Sequence, residues 1–381
     1  MIFKRTLKPG TYNSSCFLFG PRMTGKTTLL TKSGIKNYFD LLDPELELHY
    51  SAQPRRFWEQ VSALGENAFI VIDEIQKVPA LLNYVQMGID RYAQKYILSG
   101  SSARKLKRGG ANLLGGRALD LKLHPLTVEE IDSKITIESV LQFGTLPKIC
   151  SLLCEEEKDL VNGHLKSYVT TYIKEEIQAE ALTRNVGSFQ RFLSVAGQSN
   201  GQVIEFANIS RECSVPASTV KEYYQILEDT LIGFLLWPFD RNERKKARPK
   251  SYFFDCGVVR ALQNRLTDPP TPREKGFLFE TWLTNELIRL NDYYNKSHEF
   301  SFFREKNHEI DLIISNSKGP VLAIECKSGN TDISKDTIKW FQRKFSKTPL
   351  IIASFTDDRK RMVHGIEIFP WRDVLALYSE L

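Results

Sequence analysis

The stretch Gly20-Pro-Arg-Met-Thr-Gly25-Lys26-Thr27 sets two glycines apart by four residues and follows the second with an ammonium and a hydroxyl. It lies directly after the apolar run Cys16-Phe-Leu-Phe19 and directly before the helical run Thr27-Thr-Leu-Leu-Thr-Lys32. In that setting a glycine-rich turn lets backbone N–H groups curl around phosphate oxygens at the start of a helix. Gly20, Pro21, Arg22, Met23, Thr24, Gly25, Lys26, Thr27 and Thr28 would then line the polyphosphate of ATP or a close relative. Lys26 would reach the β- and γ-phosphates, and Thr27 would ligate Mg²⁺. Further on, four apolar residues, Phe69-Ile-Val-Ile72, end in two carboxylates, Asp73 and Glu74. A buried strand ending in acids supplies a second Mg²⁺ ligand, Asp73, and a base that orients the attacking water, Glu74. A surface turn and a solvated acidic turn would explain each piece singly, but they explain the pair poorly.

Three further sets could join this chemistry or add another. Tyr96-Ile-Leu-Ser99-Gly-Ser101-Ser102 reads as a central strand ending in hydroxyls that could sense the γ-phosphate, or as ordinary turn chemistry. Arg117, in Leu-Leu-Gly-Gly-Arg, is either an arginine finger for its own or a neighbouring subunit of a homo-oligomer, or a plain surface arginine. Near the end, Glu-Ile-Asp311 and Glu325-Cys-Lys327 lie on two strand-like runs joined by a hairpin-like Ser-Asn-Ser-Lys-Gly-Pro. Strand alternation puts Glu325 and Lys327 on one face. With Asp311, and with Glu280 from an apolar helix where a charge needs a partner or a metal, they could hold Mg²⁺ for phosphodiester cleavage, or form an inert salt-bridged face.

These residues need elements to position them. From Cys16 to about Glu130, apolar runs at Cys16–Phe19, Tyr38–Leu42, Phe69–Ile72, Tyr96–Leu98 and Ala118–Leu123 alternate with helical patterns. That predicts an α/β unit with a parallel sheet. Helical spacing dominates the middle, at Leu160–Ala181, Phe189–Ala196 and Ala217–Asp229. α/β character returns with a helix at Gly276–Leu290 and strands at Ile310–Ile314, Val321–Cys326 and Leu350–Ala353. The expected division is 1–135, 136–240 and 241–381, in line with a length of 381 residues.

Within the middle segment, Phe206 to Leu227 reads as a short helix, a turn at Ser214-Val-Pro216 and a second helix with Val220, Tyr224 and Leu227 on one face. This is helix-turn-helix patterning, which would offer Ser218, Thr219 and Lys221 to DNA or pack on a protein. Arg241, Arg244, Lys245, Lys246, Arg248 and Lys250 follow in a Pro-containing connector that could neutralise nucleic-acid phosphates or stay a solvated loop. A formal charge of +6 permits such a partner without requiring it. Six scattered cysteines argue against a disulfide framework or a zinc site. No apolar leader or membrane-length run occurs, which predicts a cytoplasmic protein without a membrane partner.

With these motifs assembled, the chain resembles a prokaryotic family of AAA-like ATPases that carry a C-terminal domain of unknown function. The resemblance runs through GPRMTGKTTLL, FIVIDEIQKVP, YILSGSSARKL, LLGGRALDLKLHPLTVEE, ILEDTLIGFLL, KSYFFDCGVVRAL, GFLFETWLTNEL and the EID and IECKSG pair. It implies an AAA-type P-loop sheet, then a mainly α winged-helix-like segment, then an α/β restriction-endonuclease-like domain. By matching position, Lys26, Thr27, Asp73 and Glu74 inherit nucleotide roles, and Glu280, Asp311, Glu325 and Lys327 inherit the nuclease-like positions. The sequence departs from the family at Phe143-Gly-Thr-Leu-Pro147, where a Gly-Gly-aromatic-Pro turn is usual, and at Ser99, where threonine is usual. Three functions compete: an ATP-driven switch or motor acting on DNA, a metal-dependent DNA nuclease gated by ATP, and a nucleotide-dependent protein-interaction module.

Overall fold

A computed structural model describes residues 2–101, 106, 114–173, 186–239, 248–305, 308–329 and 333–381. They form two compact units. The first is residues 1–130 with the short pieces 146–148 and 229–232; the second is the remainder. The first is built on five strands, β1 (Ser15–Phe19), β2 (Asn37–Asp40), β3 (Phe69–Asp73), β4 (Lys95–Gly100) and β5 (Ala118–Lys122), in the order β2-β3-β4-β1-β5. Every neighbouring pair is parallel. The expected apolar runs are these strands, and β1 is buried throughout because helices cover a parallel sheet on both faces. β5 is an edge strand, with Leu119, Asp120 and Lys122 exposed. Helices Pro44–Ala52, Pro54–Ser62 and Leu81–Tyr92 contribute Tyr50, Phe57, Val61, Leu81 and Val85 to a core with Phe17, Phe19, Ile70 and Ile72. The order matters for the site: β4 lies between β1 and β3, so the ends of all three strands meet at one edge of the sheet.

In the second unit, helices Val186–Gln198, Phe206–Cys213 and Ala217–Asp229 accompany a small antiparallel sheet. Its strands are β6 (Gln202–Val203), β7 (Gly233–Leu236) and β8 (Lys250–Phe253), in the order β6-β8-β7. Strands β7 and β8, which lie on either side of the basic connector in the sequence, pair with one another. Helix Pro272–Tyr293 is longer than the periodicity of Gly276–Leu290 suggests, because Thr271 and Glu274 form a capping box with Pro272 at its start. The larger sheet has β9 (Glu299–Glu305), β10 (His308–Asn316), β11 (Gly319–Lys327), β12 (Leu350–Ser354), β13 (Arg361–Val363) and β14 (Ile366–Pro370), in the order β13-β14-β12-β11-β10-β9. β10 and β11 form the expected hairpin, pairing Asn316 with Gly319. Among the described residues no helix is long and apolar enough to cross a membrane, and all six cysteines are free thiols.

Candidate nucleotide site and a second carboxylate cluster

β1 ends where the chain turns at Gly20. A Cβ there would lie 2.4 Å from the Leu123 carbonyl oxygen, so the close backbone approach requires glycine. Gly25 adopts φ 91° and begins the helix Lys26–Thr31 without a side-chain cap, leaving the first N–H groups of that helix to the loop. Lys26 Nζ folds back on the loop and donates to the carbonyls of Gly20 at 2.5 Å and Pro21 at 3.1 Å. The Thr24 hydroxyl also donates to the Pro21 carbonyl, at 2.8 Å. Arg22, Met23 and Thr27 are half-buried, and Thr28 is exposed.

Behind the loop stands a brace that sequence reading missed. Arg5 donates to the carbonyls of Thr24 at 2.8 Å and His124 at 2.6 Å, and its Nε lies 3.1 Å from the Glu130 carboxylate. Glu130 in turn accepts from the N–H groups of Thr6 and Thr127, at 2.6 and 3.1 Å. Arg5 and Glu130 sit at opposite ends of the unit's sequence, so no local pattern marks them.

Asp73 ends β3 fully buried. The Ser99 hydroxyl at the end of β4 donates to one of its oxygens, and the Tyr38 hydroxyl from β2 donates to the other at 2.6 Å. Ser99 Oγ also accepts from the Glu74 N–H at 3.1 Å, so one hydroxyl ties both acids to the middle strand. Burial, and then the bond to Asp73, pushes the Tyr38 phenol far above its ordinary pKa, which keeps it a donor. Glu74 takes a left-handed φ of 59°, uncommon outside glycine, and its carboxylate accepts from the Gln76 amide. Sequence reading missed Tyr38 and Gln76. Ser101 is buried, and Ser102 lies outside the described residues.

Arg117 precedes β5, whose first residue pairs with Ser15, the first of β1, whereas the loop follows the last residue of β1. It therefore lies at the opposite edge of the sheet, in a surface pair with Asp90 at 2.8 Å. A five-residue strand separates that edge from the glycine loop by about 16 Å.

The structure brings Glu280, Asp311, Glu325 and Lys327 together in the second unit, but with a cation that sequence reading had placed elsewhere. Lys250, expected to contact phosphates, is buried at the start of β8. Its Nζ lies 2.8 Å from Glu280, 2.7 Å from Glu309 and 3.2 Å from Asp311. Tyr252, two residues on and so on the same face, donates to the same Glu280 oxygen. The other Asp311 oxygen accepts from the Cys326 N–H at 2.9 Å. Lys327 donates to Glu325 at 2.9 Å, and the second Glu325 oxygen is buried without a partner. Burial and then the charge of Asp311 push Glu280 up to about 7 and Glu325 up to about 8. Burial works against the Lys250 ammonium, but Asp311, Glu280 and Glu309 outweigh it and hold the group well above its ordinary value. Among the described residues, no three His, Cys, Asp or Glu side chains are arranged to hold a metal ion.

Of the remaining candidate residues, Ser218 and Lys221 are exposed on helix Ala217–Asp229 and Thr219 is half-buried. Arg248 is exposed and paired with Glu205 at 3.0 Å. Residues 241–247, with Arg241, Arg244, Lys245 and Lys246, lie outside the described residues.

Residues 12–132 match the family model of an AAA domain. That stretch is an AAA-type P-loop domain. The strand order and the loop that follows β1 agree with that assignment, and the AAA domain is a nucleotide-binding fold. Behind the AAA domain, residues 135–268 and 275–374 match two domains of unknown function, DUF8612 and DUF4143. An uncharacterized protein of Mycobacterium tuberculosis is 26% identical over 318 residues, 80% of this chain and 68% of its own length. One of Haemophilus influenzae is 22% identical over 220 residues, 53% of this chain and 54% of its own. Among solved structures, the Aeropyrum pernix ORC1 protein in complex with DNA is 14% identical with a TM-score of 0.27, covering 68% of this chain and 87% of that one. The replication initiator DnaA bound to AMPPCP and single-stranded DNA is 14% identical with a TM-score of 0.27, covering 57% of this chain and 83% of that one.

Proposed function

We propose that this AAA-type protein binds and hydrolyses ATP with Mg²⁺, and that turnover serves as a switch for its later domains. The observation that carries the reading is Asp73: a buried strand-end acid with each oxygen held by a neutral hydroxyl, on the sheet edge that also bears the glycine loop. Neutral donors aim a carboxylate without cancelling its charge, which suits an acid kept for a cation. The loop fits a polyphosphate for a related reason. Its tightest turn admits no side chain at Gly20, and its one ammonium is parked on loop carbonyls that a stronger acceptor can displace.

In this reading the backbone N–H groups of the glycine loop and Lys26 would hold the phosphates, and Thr27 and Asp73 would hold Mg²⁺. The metal would neutralise charge on the phosphate oxygens. Glu74 accepts a proton from the attacking water, Gln76 fixes the direction of that carboxylate, and Ser99 keeps Glu74 in register with Asp73. Arg5 and Glu130 position the loop and touch no phosphate.

Glu74→Gln should retain ATP and lose turnover, measured as phosphate release beside filter binding of the nucleotide. Undiminished release by that variant would remove Glu74 as the base.

A nucleic-acid partner is part of the same proposal. Helix Phe206–Cys213, the turn and helix Ala217–Asp229 beside the β6-β8-β7 sheet support a winged-helix reading, with Ser218 and Lys221 exposed. ATP turnover measured alone, then with single-stranded DNA, duplex DNA and RNA, tests it. Rates indifferent to all three speak for a protein partner instead.

A further inference from the structure

We infer that the carboxylate cluster of the second unit takes an internal cation, the Lys250 ammonium, in place of a divalent metal ion. The cluster is a fixed clamp between β8, helix Pro272–Tyr293 and β10, not a metal-dependent nuclease centre. An ammonium has three hydrogens to donate, and Lys250 meets three carboxylates, Glu280, Glu309 and Asp311, at 2.8, 2.7 and 3.2 Å. Those are hydrogen-bond separations, whereas Mg²⁺ and Ca²⁺ draw oxygen ligands in to about 2.0–2.6 Å. Oxygens that a metal would use are otherwise engaged: Tyr252 shares the Glu280 oxygen, and Cys326 N–H holds the second oxygen of Asp311.

The ammonium is also delivered by rigid backbone. Lys250 stands in the central strand of the small sheet, paired with Val203 on one side and Leu236 on the other. The pairing fixes its backbone, and its ammonium also lies 5.5 Å from the centre of the Phe302 ring. A lysine arriving on a mobile loop could be a removable latch; one fixed between two strands is a permanent part of the cluster.

The inference does not depend on the ATPase reading, and its test uses nucleotide-free, full-length protein. Mn²⁺ is titrated into wild type, Lys250→Met, Asp311→Asn and the double variant, with the free ion followed by its electron paramagnetic resonance signal. Lys250→Met keeps the apolar stem and removes the charge. It should gain one Mn²⁺ site, stronger than anything in wild type by on the order of 10–100-fold, the size of a single neighbouring group's effect at metal sites. The double variant should lose that site, and wild type should bind no more Mn²⁺ than Asp311→Asn. Binding by wild type that Asp311→Asn abolishes overturns the inference, as does Mn²⁺-dependent cleavage of duplex DNA that the same substitution abolishes. A folded Lys250→Met chain without the new site also counts against it. Should circular dichroism show that Lys250→Met does not fold, wild type against Asp311→Asn decides alone: equal binding at millimolar Mn²⁺ supports the inference, and an Asp311-dependent excess sinks it.

Discussion

Two acids in this chain, Asp73 fully buried and Asp311 partly so, illustrate opposite ways of holding a carboxylate. Asp73 is held by two hydroxyls, from Ser99 and Tyr38. Asp311 is held by a backbone N–H and by a lysine shared with Glu280 and Glu309. The hydroxyls give direction and leave the negative charge uncompensated, so a cation is still wanted. The ammonium gives direction and compensates, so the demand is met. Residue type alone, an acid on a strand, does not separate a site for a metal from a structural ion cluster. The charge of whatever faces the acid does.

The sharpest break of this comparison is on the nucleotide side. Lys26→Ala and Glu74→Gln should each lower ATP turnover steeply, by about 10²–10⁴-fold for the general base. Lys26→Ala should weaken nucleotide binding and Glu74→Gln should not, a split read by fluorescent-nucleotide titration. On the other side, Lys250→Ala leaves several acids buried around an empty position and should cost about 3–5 kcal/mol, measured by urea unfolding. A loss below about 1 kcal/mol would mean that the cluster is wetter and weaker than its geometry indicates.

Smaller effects sharpen the contrast. Gly20→Ala forces a Cβ against the Leu123 carbonyl and should destabilise the first unit by about 1–3 kcal/mol, visible in thermal melting with and without ATP. Tyr38→Phe removes one neutral donor from Asp73. Turnover should persist but need more Mg²⁺, because the acid is less well aimed; an unchanged Mg²⁺ requirement would show that Ser99 suffices. Arg117→Ala should leave turnover and stability as they were, its partner Asp90 being exposed. A collapse of turnover only at protein concentrations that favour assembly would restore the arginine to a role in a neighbouring subunit.

What the sequence determined was local. The glycines, Lys26 and Thr27 are contiguous, and Asp73 follows its strand directly, so spacing and hydrophobic pattern sufficed to find them and to predict the parallel sheet. Helix Ala217–Asp229 and the β10–β11 hairpin were legible for the same reason: turn chemistry and periodicity act over a few residues. Tertiary structure decided the partners. Tyr38 reads in sequence as one more apolar strand residue, and Arg5 and Glu130 have no motif at all. Lys250 closes a run of basic residues that looks like a solvated linker, yet pairing β8 between β6 and β7 turns its ammonium inward onto acids distant in the chain. A side chain's type fixes its chemistry, but burial and the charges brought against it from distant segments fix which chemistry it performs, and those are set only when the sheets form.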